Sequence, residues 1–308
     1  MRSRLLAQLG QAQQHRLTLL CAAAGYGKTT LLEQWQPPRA IRLNLTEADN
    51  VLAHFKAHLV ATLDGVYPKA QARVTALAPE HLAAELLNAL ATCAGETMVI
   101  LDGYEHIRQH ALVEQAVEYA PPTLHLVIAT RHRPPLPLGR LRARGHLLEL
   151  RTADLAFTPE ETAAYLAQSC GVTLADSATL HALTGGWIVA LRRAAAWLAE
   201  GRPVDEAARR LANDPVLDRY LDAAAFAAEP ADVRACLLAA ARADTLDVAA
   251  CDAALLEMLE ARNCFIGASN EGVSQRLHPL YTAFLRRRMA ARTPDCDPAE
   301  AAHEKAEG

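Results

Sequence analysis

The segment Arg16–Trp35 reads RLTLLCAAAGYGKTTLLEQW and decides the fold. It begins with apolar residues typical of a buried strand, continues through a loop of alanines and glycines, and ends in a helical pattern. Gly-Lys-Thr at 27–29, in this strand–loop–helix context, is typical of a loop that binds phosphates. The alternative is a chance Gly-Lys-Thr in an ordinary turn, which the flanking strand and helix disfavour.

Each residue type in this loop has a chemical reason to bind a polyphosphate. Small residues allow consecutive backbone N–H groups to curl around phosphate oxygens, and the start of a helix adds partial positive charge. Lys28 is expected to bridge the β- and γ-phosphates, and Thr29 to place its hydroxyl on Mg²⁺. Ala22 replaces the usual first glycine, and its methyl group is tolerable if φ is negative. The residues expected to bind ATP or ADP are Ala24, Gly25, Tyr26, Gly27, Lys28, Thr29 and Thr30.

The second half of the site is expected after the apolar run Met98–Leu101, where Asp102 follows. Asp102 is predicted to hold Mg²⁺ through water, with a solvated aspartate that merely ends a strand as the alternative. Hydrolysis usually requires another carboxylate that orients the attacking water. Since the adjacent residue is Gly103 and the nearest carboxylate is Glu105, the sequence predicts nucleotide binding more directly than turnover.

Arg131 follows the apolar run Leu124–Ala129. A cation at a strand end is suited to reading the γ-phosphate, and an ordinary surface arginine is an equal alternative. The stretch 131–144, RHRPPLPLGRLRAR, carries five arginines without interleaved aromatic residues, which favours a solvated loop over a nucleic-acid surface. The catalytic candidates are therefore Lys28, Asp102, Glu105 and Arg131.

The pattern of the first half predicts an α/β P-loop domain, a parallel sheet with helices on both faces. The strand candidates are Arg16–Cys21, Ala40–Leu45, Thr97–Leu101, Leu124–Ala129 and Gly145–Leu150. A helix start at Thr158 opens a second half with almost only helical periodicity up to about residue 288. Within it, Cys264–Ile266 and Val273–Leu277 flank GASNEG and are expected to pair as the hairpin of a winged helix.

Length and composition exclude several classes of protein. The 308 residues amount to about two domains, and 51% hydrophobic residues with only 5% aromatic ones favour helices rich in Ala and Leu. The net charge of −4 argues against a generally basic nucleic-acid binder. Since no apolar run reaches about 18 residues and the N-terminus is polar, we expect a cytoplasmic protein without a membrane partner. Seven cysteines without C-x-x-C spacing predict reduced thiols.

The string LLCAAAGYGKTTLLEQW resembles the phosphate loop of MalT-type transcriptional activators, LuxR-family regulators in the STAND class of P-loop ATPases. Further segments resemble this family in the same order, from about residue 2 to residue 290, and together they form a specific set. These segments are MVILDGYEHI at 98–107, the stretch Leu124–Leu166, TGGWIVAL at 184–191 and RLHPLYTAFLRRR at 276–288.

The resemblance implies a three-domain switch. It implies a P-loop nucleotide-binding domain at 1–155, a helical domain at 156–203, a winged-helix domain at 204–290, and the start of a helical linker at 291–308. It also implies ADP held in a closed resting state, with ATP and an inducer favouring an open state that self-associates.

The same resemblance assigns roles by position. Asp102 serves Mg²⁺, and Arg131 is the sensor arginine at the strand end. His278 is expected to contact the β-phosphate, with a capped core histidine as the alternative. Arg2 and Arg4 are expected at the nucleotide entrance.

Departures from the family pattern shape the functional hypotheses. Ala22 and Gly103 predict slow or absent ATP hydrolysis, and Ile188 stands where the family often has a proline near adenine. Family members continue into helical repeats that read an inducer and a helix-turn-helix that binds DNA, so DNA is expected only through a domain absent from this chain. The leading hypothesis is an ATP/ADP switch with slow hydrolysis. The alternatives are a hydrolysis-deficient scaffold, a truncated regulator that acts through a partner protein and, less favoured, a stand-alone DNA-binding protein.

Overall fold

The chain divides into two compact units. The computed structural model describes residues 2–64, 66–78, 85–86, 88–89, 95–171, 173–243, 259, 262, 266–268 and 275–291. The first unit comprises Met1–Glu161 with Ala261–Asn263, and the second comprises Thr162–Glu260 with Cys264–Gly308. The change of pattern explains the boundary, because strands alternate with helices before it and helices dominate after it.

A five-stranded parallel sheet forms the centre of the first unit. Its strands are β1 (Leu17–Cys21), β2 (Ala40–Asn44), β3 (Thr97–Asp102), β4 (Leu124–Thr130) and β5 (Leu147–Arg151). They lie in the order β2-β3-β4-β1-β5, and every neighbouring pair is parallel. All residues of β1 and β4 are buried, as expected for runs that are apolar on both faces.

Helices connect the strands and cover the sheet. The helices of this unit are α1 (Ser3–Leu9), α2 (Lys28–Gln34), α3 (Leu52–Leu63), α4 (Pro68–Ala76), α5 (Ala111–Tyr119), α6 (Leu138–Ala143) and α7 (Thr152–Leu155). Apolar side chains of α3, α4, α5 and α6 share one core with alternate residues of β1 to β4. Residues on the other face, such as Leu20 and Ile100, are equally buried. The predicted α/β P-loop fold class is confirmed.

The strand order brings the predicted site residues to one edge of the sheet. Carboxyl ends of parallel strands share an edge, and β4 lies between β1 and β3. The loop after β1, Asp102 at the end of β3 and Arg131 directly after β4 therefore occupy neighbouring strand ends. In open α/β sheets ligands bind in the crevice at this edge.

The second unit is mainly helical. Its elements follow α8 (Pro159–Cys170), which includes the boundary, and are α9 (Leu174–Thr184), α10 (Ile188–Ala199), α11 (Val204–Leu211), α12 (Pro215–Leu221), a π-helical segment Asp222–Phe226, α13 (Ala231–Ala243) and α14 (Pro279–Ala290). Its core contains the aromatic rings of Phe226, Tyr281 and Phe284, whose neighbouring centroids lie 5.8 to 6.1 Å apart. The predicted helix start is confirmed, because Thr158 and Glu161 exchange backbone and side-chain hydrogen bonds at the head of α8.

The predicted hairpin is present in the second unit. Strands β6 (Ile266–Ala268) and β7 (Gln275–Leu277) are antiparallel, with Ile266 opposite Leu277. Strand β6 begins where the predicted strand was expected to end, and residues 263–265 and 269–274 lie outside the described residues. The predicted tail 291–308 also lies outside the described residues, except for Ala291. The predicted domain borders stay predictions. Among the helices in the described part of the chain, none combines the length and hydropathy needed to cross a membrane.

Candidate nucleotide-binding site

The loop between β1 and α2 depends on two left-handed glycines. Gly25 has φ +80° and Gly27 has φ +76°, conformations that glycine adopts without the steric penalty of a Cβ. Ala22 is fully buried and does not adopt a positive φ, so the condition under which its methyl group is tolerable is met. The backbone N–H of Ala22 donates to the carbonyl of Thr130 at 3.2 Å, which ties the loop to β4.

The side chain of Lys28 folds back onto the start of the loop. Its Nζ donates to the carbonyl oxygens of Ala22 at 2.6 Å and Ala23 at 3.1 Å. Burial lowers the pKa of the Lys28 ammonium from 10.5 to about 8. Because a bound phosphate would favour the charged ammonium, the residue is suited to exchange its carbonyl partners for phosphate oxygens.

The remaining loop residues divide into buried and exposed ones. Ala24 and Tyr26 are buried, and burial raises the pKa of the Tyr26 phenol above its ordinary value. Thr29 and Thr30, in the first turn of α2, are exposed. The two threonines are therefore the solvent-facing residues of the stretch 24–30.

The strand ends beside the loop carry a pair of opposite charges. The Nε atom of Arg131 lies 2.8 Å from Oε1 of Glu105, and the backbone N–H of Arg131 donates to Oε2 of Glu105 at 3.2 Å. Both groups act on Lys28: the Glu105 carboxylate raises the pKa of the ammonium, and the Arg131 guanidinium lowers it. Lys28, Glu105 and Arg131 therefore interact electrostatically at neighbouring strand ends, and Cys21 and Asp102 make weaker contributions to the pKa of Lys28.

The backbone around Asp102 explains why no second acid follows it. Gly103 has φ +79°, and a Cβ added there would lie 2.7 Å from the carbonyl oxygen of Leu45. The N–H of Leu45 in turn donates to the carbonyl of Asp102 at 2.7 Å, which holds the two chain segments together. An aspartate or glutamate at position 103 would require this backbone to shift.

The residues present suit Mg²⁺ with water and phosphate as its further ligands. Magnesium is commonly held by one or two carboxylates together with substrate phosphates and water, and Asp102 and the Thr29 hydroxyl supply oxygen donors of this kind. In the described residues no group of three or more His, Cys, Asp or Glu side chains forms a closed metal cage.

The two N-terminal arginines hold the segment that follows β5. Arg4 donates to the carbonyl of Asp154 at 2.8 Å, and Arg2 donates to the carbonyl of Leu155 at 2.7 Å. Both guanidinium groups also lie within 3.4 Å of the Glu161 carboxylate. Their expected place at the nucleotide entrance stays a prediction, and the structure shows in addition that they fasten α1 to residues 154–161.

His278 lies in the second unit, at the head of α14. Its Nδ1 accepts from the N–H of Leu280 at 3.2 Å, and its Nε2 bonds to the carbonyl of Thr184 at 2.7 Å. Burial lowers the pKa of the imidazole, so the ring is neutral, with the proton on Nε2. The centroids of this ring and of the Trp187 ring lie 5.9 Å apart, with the ring planes at 72°. These bonds describe a capping histidine, and its phosphate contact stays a prediction.

Sequence reasoning missed two residues that support the site. Leu45 blocks position 103 and holds Asp102 through backbone atoms alone, so its side chain carries no signal. Thr130 accepts from Ala22 through its carbonyl and donates from Oγ1 to His132 at 2.9 Å. Thr130 ends an apolar run immediately before Arg131, and this position is a weak sequence signal for a residue that supports the site.

Comparison with known proteins gives a consistent result. Residues 222–296 match the MalT winged helix domain. The HTH-type transcriptional regulator MalT of Yersinia pestis is 30% identical over 316 residues, which cover 93% of this chain and 35% of that protein. MalT of Yersinia enterocolitica is 31% identical over 330 residues, which cover 96% of this chain and 36% of that protein. The resemblance to MalT-type regulators is confirmed. The chain spans about a third of the length of these MalT relatives.

Solved structures agree on the fold of this MalT-like module. A Walker-type ATPase of Pyrococcus abyssi superposes with a TM-score of 0.63 at 15% identity, over 93% of this chain and 95% of that one. A STAND protein with a tetratricopeptide repeat sensor from Pyrococcus horikoshii gives 0.50 at 15% identity, over 94% and 42%. The ORC2 protein of Aeropyrum pernix gives 0.52 at 14% identity, over 94% and 96%. These likenesses show the fold alone, that of a P-loop ATPase module.

Proposed function

We propose that this chain is an ATP- and ADP-binding signalling module with slow ATP hydrolysis, whose nucleotide state sets its conformation. The observation that carries the proposal is the cluster of Lys28, Glu105 and Arg131 beside the phosphate loop at one edge of a parallel sheet. A strand–loop–helix with two left-handed glycines and a half-buried lysine has the geometry and charge that a polyphosphate requires.

The loop residues bind the phosphates in this proposal. Backbone N–H groups of residues 24–28 surround the oxygens, while Lys28 leaves the carbonyls of Ala22 and Ala23 for the β- and γ-phosphates. Thr29 and Asp102 hold Mg²⁺, which when bound neutralises charge on the transferred phosphoryl group. Arg131 distinguishes ATP from ADP because its guanidinium reaches a γ-phosphate only in the former.

Hydrolysis is slow in this proposal because Glu105 both pairs with Arg131 and is the candidate to orient the attacking water. Glu105 is the nearest candidate to orient the attacking water, yet it is held by Arg131 at 2.8 Å. Position 103, next to Asp102, accepts no acid without a change of backbone. Glu105 therefore becomes available for catalysis only when Arg131 turns to a phosphate.

The proposals on self-association, partner proteins and DNA rest on the likeness to MalT. We infer that the ATP state favours self-association or the binding of a partner protein, and that DNA is contacted through a helix-turn-helix domain outside this chain. From the same likeness we expect His278 to contact the β-phosphate and Arg4 to lie at the nucleotide entrance.

Calorimetric titration of the chain with ATP and with ADP tests the proposal. Lys28→Ala is expected to abolish binding of both nucleotides, and Lys69→Ala, which removes an exposed lysine of α4, is the matched control. Unchanged affinity of Lys28→Ala would contradict the proposal.

A hydrolysis-deficient nucleotide-binding scaffold is the second candidate, and the geometry at Gly103 favours it. Steady-state phosphate release distinguishes the two. A rate above background that disappears in Asp102→Ala supports the ATPase, whereas a wild-type rate equal to background supports the scaffold.

A further inference from the structure

The side chain of Asn50 joins the turn after β2 to the turn after β3. Its Nδ2 donates to the carbonyl of Glu47 at 3.0 Å, within the same 3₁₀ turn, and to the carbonyl of His106 at 2.8 Å. Its Oδ1 accepts from the backbone N–H of Arg108 at 2.7 Å. Two of these three bonds therefore reach residues that lie 56 and 58 positions further along the chain.

The partners of Asn50 explain why an asparagine stands at this position. A primary amide offers two N–H donors and one carbonyl acceptor in a single plane. The two carbonyl partners match the two donors, and the N–H of Arg108 matches the acceptor. A flipped amide would place its oxygen against two carbonyl oxygens, and an aspartate would lose both donors. The bonds therefore specify both the residue type and the orientation of the amide.

The turn that Asn50 binds carries Glu105. This residue lies between Tyr104 and His106 in a 3₁₀ turn, and Asn50 binds the carbonyl of His106, directly after it. On the other side, the Tyr104 side chain is buried, at 2% exposure. The backbone is thus held before and after Glu105, whose carboxylate contacts Arg131 at 2.8 Å.

We propose that Asn50 is a positioning residue that holds Glu105 against Arg131 in the nucleotide-free protein. It acts through the backbone of the Glu105 turn. The consequence for nucleotide rests on the proposed function, in which Arg131 reads the γ-phosphate. A looser turn weakens the Glu105–Arg131 pair, so the guanidinium of Arg131 becomes more available to a γ-phosphate.

Amide hydrogen exchange of the nucleotide-free chain tests the positioning by itself. The N–H of Arg131 donates to Oε2 of Glu105 at 3.2 Å, so its exchange rate reports the place of that carboxylate. Asn50→Ala is expected to speed exchange at Arg131 about two- to tenfold, the factor that corresponds to one hydrogen bond, while Val127 within β4 keeps its rate. Asn50→Asp has nearly the same size but no donor for the carbonyl of His106, and the same increase is expected.

Asn213→Ala is the matched control, because it removes an asparagine whose Nδ2 donates to the carbonyl of Arg209 in the second unit. It should leave the exchange rate of Arg131 unchanged. Circular dichroism and the rate at Val127 establish that the Asn50 variants are folded. A wild-type rate at Arg131 in the folded variants would overturn the positioning role, whether or not the chain binds nucleotide.

Calorimetry with ATP and with ADP tests the consequence for the proposed function. Asn50→Ala is expected to raise the ratio of ATP to ADP affinity by up to about fivefold, the limit for releasing one partly exposed ion pair. In a Glu105→Gln background the same substitution should leave the ratio unchanged, because the charge that Asn50 positions is already gone.

The two measurements separate failure of this inference from failure of the proposed function. An equal rise of the ratio with and without Glu105 would overturn the action of Asn50 through Glu105. A wild-type chain that binds no nucleotide would contradict the proposed function, and the exchange rate of Arg131 would still decide the role of Asn50.

Discussion

The guanidinium of Arg131 is already paired with the Glu105 carboxylate, at 2.8 Å from Nε to Oε1. The Glu105 carboxylate is only 11% exposed, whereas the Arg131 side chain is 40% exposed. In the proposed ATP complex a γ-phosphate would therefore compete with a carboxylate for Arg131. This competition makes the pair a point at which affinity for ATP can be changed without altering the phosphate loop.

Neutralising Glu105 is expected to tighten ATP binding. Glu105→Gln removes the competing charge and leaves Arg131 for the γ-phosphate, a gain of about 1 kcal/mol or roughly fivefold for a partly exposed pair. Binding of ADP, which has no γ-phosphate, should change less. The measurement is the ratio of ATP to ADP affinity by calorimetry.

Two further variants test the role of Arg131 in the ratio of ATP to ADP affinity. Arg131→Gln should lower the ratio of ATP to ADP affinity, because the distinguishing cation is lost. Glu118→Gln breaks the exposed Glu118–Arg140 pair of 2.6 Å and should leave the ratio unchanged. An equal rise for both nucleotides in Glu105→Gln would show that Arg131 does not distinguish them.

Nucleotide affinity is expected to fall with rising pH because of Lys28. Its pKa is about 8 in the free protein, and a bound phosphate raises that pKa by favouring the charged form. Above about pH 8 binding must take up a proton, so affinity falls by up to about tenfold per pH unit until the pKa of the complex is reached. Titrations between about pH 7 and pH 9.5 measure the slope.

Lys28→Arg is the control for this pH dependence. Arginine stays charged across the range, so the variant should bind with an affinity that does not change between about pH 8 and pH 9.5. A slope equal to that of the wild type would assign the titration to another group.

A side chain at position 103 is expected to destabilise the first unit by both strain and collision. Gly103→Ala places a Cβ at φ +79° and 2.7 Å from the Leu45 carbonyl oxygen. Gly145 has a similar φ of +70° with nothing within 4 Å, so Gly145→Ala measures strain alone. We expect a loss of about 1 kcal/mol for Gly145→Ala and a further loss of about 1–3 kcal/mol for Gly103→Ala.

Urea denaturation gives the free energy of unfolding for both glycine variants. Equal losses would mean that the backbone at Leu45 moves aside at no cost. In that case the absence of a second acid would have no structural basis.

Acid is expected to destabilise the second unit through His278. The pKa of this imidazole is lowered from 6.5, so the unfolded chain binds more protons in the window between the folded-state pKa and 6.5. The contribution of this group to the free energy of unfolding is therefore complete above pH 6.5 and is lost progressively as the pH falls from 6.5 to the folded-state pKa. Thermal denaturation at a series of pH values measures this dependence.

His278→Asn separates this group from the other titrating residues. Asparagine keeps an acceptor for the N–H of Leu280 at the head of α14 but carries no titratable group. The variant should lose part of the acid dependence while remaining folded. An unchanged dependence would place the titration elsewhere.

The sheet was predictable because its signal is local. Each predicted apolar run of the first half is a strand whose ends differ from the predicted ones by at most two residues. Short continuous apolar runs between loops are typical of buried parallel strands. The phosphate loop was predictable for the same reason: Gly25, Gly27 and Lys28 are close in sequence and their backbone requirements are short-range.

Contacts between distant residues were not predictable. The Glu105–Arg131 pair depends on β3 and β4 being neighbours, and Glu105 itself follows a turn whose direction the sequence does not specify. The Nδ1 atoms of His54 and His58 lie 3.4 Å and 3.0 Å from the carboxylate of Asp49. The i, i+4 spacing of the histidines is visible in the sequence. Their contact with Asp49 is not, because Asp49 lies in a separate short 3₁₀ turn with its own capping box. The obstruction at Gly103 arises from a backbone atom of another segment, which no residue type indicates.

The contact between position 103 and Leu45 also bears on how this module can change over generations. A change of Gly103 to aspartate alone would place a Cβ 2.7 Å from the carbonyl oxygen of Leu45. An acid beside Asp102 therefore requires at least two coordinated changes, one at position 103 and one in the backbone segment around Leu45.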